Sequence, residues 1–313
     1  MERITSRQNP FLKQVGKLNN AKSERRKAGV FPGEGPKLLE EAIKAGVEIT
    51  ATISAEGVSV PTIPGARQIE VPREVLESLC DTKTPQGVLF LCRLPETKAP
   101  ETLEGSRYLV LDGVQDPGNV GTIWRTADAL GADGIILVHG CADPFAPKTV
   151  RSTMGACFRL PVYEVEAEQL SQLLKNSGLP LYATALREDT VDIKTADLSR
   201  SAVVIGSEGR GISDALLNMS EKTLKIPMRE RCESLNAAAA ATIVLWIVLL
   251  ISFIGAVIVL VRRGSEITAW KNSAVSVPGV YKRFFSSGGV ITFTILMVLS
   301  MIATLFTLIT PKW

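Results

Sequence analysis

The sequence predicts an α/β protein built as two successive units followed by a hydrophobic tail. Three observations predict it. Strand-like apolar runs alternate with amphipathic helical stretches over residues 30–95, halt at a polar, proline-bearing stretch, and restart at residue 107. After that restart helices separate most of the strands, as in a parallel sheet covered on both faces. Beyond residue 246 the alternation is lost: neither Ala237 to Val261 nor Gly288 to Pro311 contains a charged residue.

The elements follow in order. Residues 3–29 read as a helix ending near Gly29. "VFPGEGPKLLEEAIKAG" is a short strand, a turn and a helix that places Leu38, Leu39, Ala42 and Ile43 on one face. "ITATISAEG" is a strand, "ARQIEVPREVLESLCDT" a strand and a helix opening near Pro72, and "GVLFLCRLP" a strand. These make a first domain over 1–95, with 96–106 as the linker. In the second domain, 107–246, strands are expected at "RYLVLDGV", "GIILVHG", "RLPVYEV", "PLYATAL", "AVVIGSEG" and "TLKIPM". Helices are expected over 119–130, 147–156, 167–176 and 211–218, with one more opening at Ser234. The tail, 247–313, holds two candidate membrane helices, about 243–261 and 289–310. Each is long enough for a hydrocarbon core of ~30 Å, which takes about 20 helical residues.

Composition excludes several chemistries. The net charge is +3, but Arg262, Arg263, Lys271, Lys282, Arg283 and Lys312 face only Glu266 in the tail, so the body is near neutral. A polyanion must therefore be met by a local patch. Residues 1–29 supply one, with eight Lys/Arg against Glu2 and Glu24. The five cysteines include no C-x-x-C pair, so no metal and no disulfide are expected, and a reducing cytosol fits. His139 is the single histidine, and no nucleophile motif accompanies it. The polar, basic start is not a signal peptide. "VQDPGNVG" lacks the glycine fingerprint that a dinucleotide-binding oxidoreductase needs.

Three motifs remain. In "NVGTIWR", Asn119 can cap a helix, Gly121 permits close approach, and Arg125 on the second turn can grip phosphate with a planar fork. A cap plus a surface arginine is the plainer alternative. In "KTVRSTMGACFRLPV", Lys148 and Arg151 share a helix face, and Ser152 with Gly155 forms a small-residue strip. Phosphate contact and helix packing are both open. "VVIGSEGRGI" and "LKIPMRERCESLNAAAAA" are strand ends whose backbone groups could pair with a purine, with Ser234 or Asn236 capping the next helix.

Together and in this order the motifs resemble the SpoU (TrmH-like) RNA ribose 2′-O-methyltransferases of the SPOUT class. "GEGPKLLEEA" and "DTKTPQGVL" look like that family's substrate-binding domain. The resemblance covers residues 2–244. It implies a small RNA-binding α/β domain, a parallel-sheet methyltransferase domain with a trefoil knot, S-adenosylmethionine as cofactor, and a homodimer. It implies cofactor binding by Gly206, Ile226, Met228 and Leu235, and a catalytic set of Asn119, Arg125, Glu208, Ser234 and Asn236. Arg7, Asn9, Lys13, Lys148, Arg151 and Ser152 are the expected contacts to structured RNA, with ribosomal RNA preferred.

The implied reaction is methyl transfer to a ribose 2′-hydroxyl, which needs alignment and help with the hydroxyl proton. Arg125 is the family's usual base, yet a guanidinium with pKa above 12 is a poor one. Clamping the adjacent phosphate suits it better, and Glu208 is the alternative base. The departure from the family begins about Ile247. A cytoplasmic catalytic domain anchored by the tail is one reading. An RNA-binding membrane protein without activity, or an enzyme disabled by a fused membrane segment, is the alternative. The loop 262–287 is basic, against the positive-inside preference for such a hairpin.

Overall fold

The computed structural model describes residues 1–185, 187, 190–229, 234–248 and 250. Most of the first candidate membrane span and all of the second lie outside them. No helix among the described residues is long and apolar enough to cross a membrane.

Residues 3–29 are not one helix. β1 (Glu2–Arg3) precedes α1 (Pro10–Asn20) and α2 (Lys22–Ala28). Pro10 occupies the first helical turn, and the Asn9 side chain accepts from the Phe11 amide (2.9 Å) as N-cap. Ala21, in an extended conformation, divides the two helices after Asn19 and Asn20, both poor helix formers. Then follow β2 (Val30–Glu34), α3 (Pro36–Lys44), β3 (Ile49–Ala55), β4 (Arg67–Val71), α4 (Arg73–Glu77) and β5 (Val88–Arg93). The five strands form one sheet in the order β1-β4-β3-β5-β2, parallel from β1 to β3 and antiparallel thereafter.

The second unit runs β6 (Arg107–Asp112), α5 (Pro117–Ala129), β7 (Gly134–Val138), α6 (Pro147–Thr153), β8 (Val162–Val165), α7 (Ala167–Ser177) and β9 (Leu181–Thr184). It continues with β10 (Val191–Asp192), β11 (Ser201–Gly206), α8 (Asp214–Met219), β12 (Lys222–Lys225) and a helix α9 over 237–248. The sheet order is β10-β12-β9-β11-β6-β7-β8, and every pairing is parallel. Its central strands are buried along their length. The two-residue β10 was too short to read as a strand.

Each sheet keeps an apolar cluster of its own, around Ile53 and Ile69 in the first and around Val110 and Ile136 in the second, and a third cluster is shared between them. Phe31 of β2 and Phe145, between β7 and α6, lie with ring centroids 4.8 Å apart, and Trp124 of α5 meets Phe145 edge-on at 6.0 Å. Buried charge joins them as well: Arg25 of α2 pairs with Asp143 and donates to the Leu18 carbonyl. Breaking such a buried pair by removing one partner costs about 3–5 kcal/mol. Glu164 on the edge strand β8 accepts from Lys22, from Arg26 (2.9 Å) and from the Thr97 hydroxyl (3.1 Å). The linker also runs along that edge, where the Glu164 amide donates to the Thr97 carbonyl (2.8 Å). An exposed edge is thereby covered.

Candidate active site

The site lies at the carboxyl ends of three adjacent strands, where ligands bind in open α/β sheets. The chain leaves β9 at Thr184, β11 at Gly206 and β12 at Lys225, and these ends with the start of α9 enclose a cavity of about 290 Å3. All four expected cofactor residues, Gly206, Ile226, Met228 and Leu235, line it, and so do Glu208 and Ser234. Thr184, Ala185 and Ser207 line it too, as does Ala240 on α9. These were missed because nothing but tertiary position distinguishes them. The wall is mainly apolar, from Ile205, Leu224, Ile226 and Leu235.

Gly206 is dictated by its surroundings. A Cβ there would stand 2.4 Å from the backbone of Gly211, closer than any real side chain tolerates. The loop 207–211 can fold over the strand end only because that atom is missing, and it closes with Ser207–Gly211 backbone bonds of 3.0 and 2.9 Å. Asp112, at the end of β6, holds the outer side of the loop by accepting from the Ser213 amide (2.6 Å).

Asn119 does not cap α5, contrary to the sequence reading. Asp116 does, accepting from the Asn119 amide at 2.9 Å, with Pro117 in the first turn. The "DPG" spelling carried that signal, since Asp before Pro starts a helix there. Lys148 of α6 donates to Asp116 (2.8 Å), and with the Asn119 and Gly118 amides it holds that carboxyl below its usual range. The Asn119 side chain is thus released from capping and turns to the cavity wall. Its Nδ2 donates to the Glu208 carboxylate, and its Oδ1 accepts from Asn236 Nδ2 at 3.2 Å. Asn236 itself caps α9, accepting from the amides of Ala238 (2.9 Å) and Ala239 (3.3 Å).

Arg125 is exposed on α5 and has no ion pair or hydrogen bond among the described residues. Arg151 pairs with Asp81 at 3.0 Å, tying α6 to the "DTKTPQG" loop of the first unit, and the Ser152 hydroxyl donates back to the Lys148 carbonyl (2.8 Å). Gly121 serves helix packing: a Cβ there would meet Ser152 Cβ and the Thr149 carbonyl at 2.5 Å. Arg7 donates to the Glu74 carbonyl at 3.0 Å, Asn9 is the cap of α1, and Lys13 is exposed. His139 is exposed and 3.9 Å from Glu166, away from the cavity lining. Burial pushes the Cys141 thiol up to about 11 and the Cys157 thiol up to about 12, so neither is a nucleophile at neutral pH.

Residues 106–246 match the SpoU rRNA Methylase family, and residues 9–89 match an MRM3-like substrate binding domain. The chain is 34% identical over 248 residues to the 23S rRNA (guanosine(2553)-2′-O)-methyltransferase RlmP of Bacillus subtilis, spanning 79% of this chain and 98% of that protein. The chain belongs to the SpoU rRNA methylase family. Among solved structures of similar proteins is the AdoMet-bound rRNA methyltransferase from Sinorhizobium meliloti. It has a TM-score of 0.70 and 32% identity, covering 79% of this chain and 97% of that one. The SpoU methyltransferase AviRb from Streptomyces viridochromogenes, in complex with AdoMet, gives a TM-score of 0.72 at 26% identity, covering 79% and 99%. The SpoU match ends at residue 246, next to the position where the apolar tail takes over the sequence.

Proposed function

We propose that this chain transfers methyl from S-adenosylmethionine to a ribose 2′-hydroxyl of ribosomal RNA. Family membership supports the reaction class, and the observation that carries the site assignment is Glu208. It is at once a wall of the strand-end cavity and the hydrogen-bond partner of Asn119. The cavity fits the cofactor: it is near the lower end of ligand-pocket volumes, apolar at Ile226 and Leu235, and bordered by Gly206, whose missing Cβ lets the loop 207–211 fold beside it. Gly206, Ile226, Met228 and Leu235 would hold the cofactor, which supplies an electrophilic methyl group on a sulfonium.

The protein's own groups do the rest. Asn119 and Asn236 fix one another by their amides, and Asn119 presents a donor to Glu208, so the carboxylate is held at the cavity edge in one orientation. Arg125, unpaired, is available to a phosphate. A guanidinium on the phosphate next to the target ribose stabilises the developing alkoxide electrostatically. Glu208 is the carboxylate positioned to accept the hydroxyl proton. Lys148 and Arg151 are neutralised by Asp116 and Asp81, so RNA contact through them exchanges those ion pairs for phosphates.

The knotted path and the homodimer belong to this same reading. Their support is membership of the SpoU family, for which the sequence resemblance implies both. Light scattering of the purified chain tests the dimer. The uncharged runs within 243–261 and 289–310 support membrane attachment of a cytoplasmic enzyme. Fractionation of cells expressing the full chain and a form stopped after residue 250 tests that. An enzyme disabled by its tail would show methyl transfer in the shortened form alone.

A further inference from the structure

The eight Lys/Arg of residues 1–29 divide into two groups. Five make ion pairs within the protein. Arg3 pairs with Glu56, Arg7 with Glu74, Lys22 and Arg26 with Glu164, and Arg25 with Asp143. The other three, Lys13, Lys17 and Lys27, are exposed and have no partner among the described residues. They are not scattered. Lys13 and Lys17, four apart on α1, share a face, and Lys27 stands opposite on α2. With Gln8 and Gln14 they line one open depression of about 500 Å3 between the two helices, where Glu24 is the single acid.

We propose that this groove seats the phosphate backbone of the RNA substrate, through Lys17 and Lys27 together with Lys13. The inference rests on the RNA methyltransferase reading above and adds where the RNA is held. Two like charges four apart on a helix repel by a few tenths of a kcal/mol, so the pair is arranged for an external anion rather than for the fold. Ammonium groups on long stems follow a phosphate chain without reading bases, and the glutamine amides add contacts to phosphate or 2′-hydroxyl. No aromatic ring lines the groove, so it has no surface for stacking bases. The groove is also held in position: Lys22 and Arg26 of α2 grip Glu164 on β8, the edge of the sheet that carries Glu208. β8 is three strands from β11, about 14 Å at ordinary strand spacing. RNA bound in the groove is therefore tethered to the sheet that presents the site.

The test uses the full chain in mild detergent and an unmodified large-subunit ribosomal RNA transcript, with affinity and methyl transfer measured from 50 to 200 mM KCl. For the K17Q/K27Q double variant the slope of log affinity against log salt flattens by about 1.5, since each lost phosphate contact removes about 0.7–0.9. KM for the RNA rises about tenfold near 0.1 M salt. K17R/K27R restores the slope, and R3Q, which removes only the pair with Glu56, leaves it unchanged. Wild-type slope and KM in K17Q/K27Q, beside active wild type, overturn the groove and leave the methyltransferase reading standing. A groove reserved for an acidic protein would give that result. Wild type that neither binds nor methylates the transcript overturns both.

Discussion

The side-chain amide of Asn119 donates to the carboxylate of Glu208, although 89 positions separate them in the chain. The direction of that bond is fixed from the far end. Asn236 Oδ1 is committed to the amides that open α9, so its Nδ2 faces Asn119 Oδ1. Asn119 must then turn its NH2 group to Glu208, which is met as an acceptor. Three residues on separate segments thus form one ordered chain ending at the cavity wall.

Asn119→Asp breaks this order at one atom. It replaces the donor by a second carboxylate against Glu208, and the like-charge pair then shares a proton. The methyl-transfer rate should fall about 10²-fold or more, while binding of S-adenosylmethionine, measured calorimetrically, changes only a few-fold. Equal losses in both would mean that Asn119 acts in building the cavity rather than in the reaction.

Gly121→Ala tests why α5 and α6 lie so close. The new methyl would stand 2.5 Å from a backbone carbonyl on α6, which cannot swing away as a flexible side chain could. Overpacking of this kind costs about 1–3 kcal/mol, readable as a lower urea midpoint with unchanged m. A wild-type midpoint would show that the helices can separate freely.

Most of the strands and helices were legible in the sequence, because their apolar periodicity is strong and glycines mark the ends of β6, β7 and β11. The cofactor-side residues were legible only through the motifs' resemblance to a family. Asn119 was misread as a cap since Asn favours that role, while Asp116, three residues earlier and followed by Pro117, held the stronger start signal. The basic run 1–29 looked uniform. Only the fold reveals that Lys22, Arg25 and Arg26 hold the two sheets together, because Glu164 and Asp143 are more than a hundred residues away. For the same reason the ring-to-ring packing of Phe31 against Phe145, across the two units, could not be read from the sequence.

Glu164 makes that docking sensitive to acid. Burial works to raise its pKa, but the Lys22 ammonium, with Arg26 and Thr97, outweighs burial and leaves the carboxyl below its usual range. A depressed folded pKa stabilises above the unfolded value of about 4.3, and the contribution is lost as pH falls through that value and the folded one. Glu164→Gln should therefore cost about 1–3 kcal/mol at pH 6 and progressively less toward pH 3, measured by urea unfolding at each pH. A pH-independent cost would assign Glu164 to packing alone.

The cavity and its Asn119–Glu208 edge are proposed to methylate a ribose oxygen. Incubating the full chain with tritiated S-adenosylmethionine and unmodified ribosomal RNA, then hydrolysing the RNA in alkali, tests it most directly. Alkaline cleavage needs a free 2′-hydroxyl, so a 2′-O-methyl group leaves its label in an uncleaved dinucleotide. Label is expected in that fraction, with Arg125→Ala reducing it about 10²–10³-fold. Label confined to mononucleotides would place the methyl on a base and rule out ribose methylation.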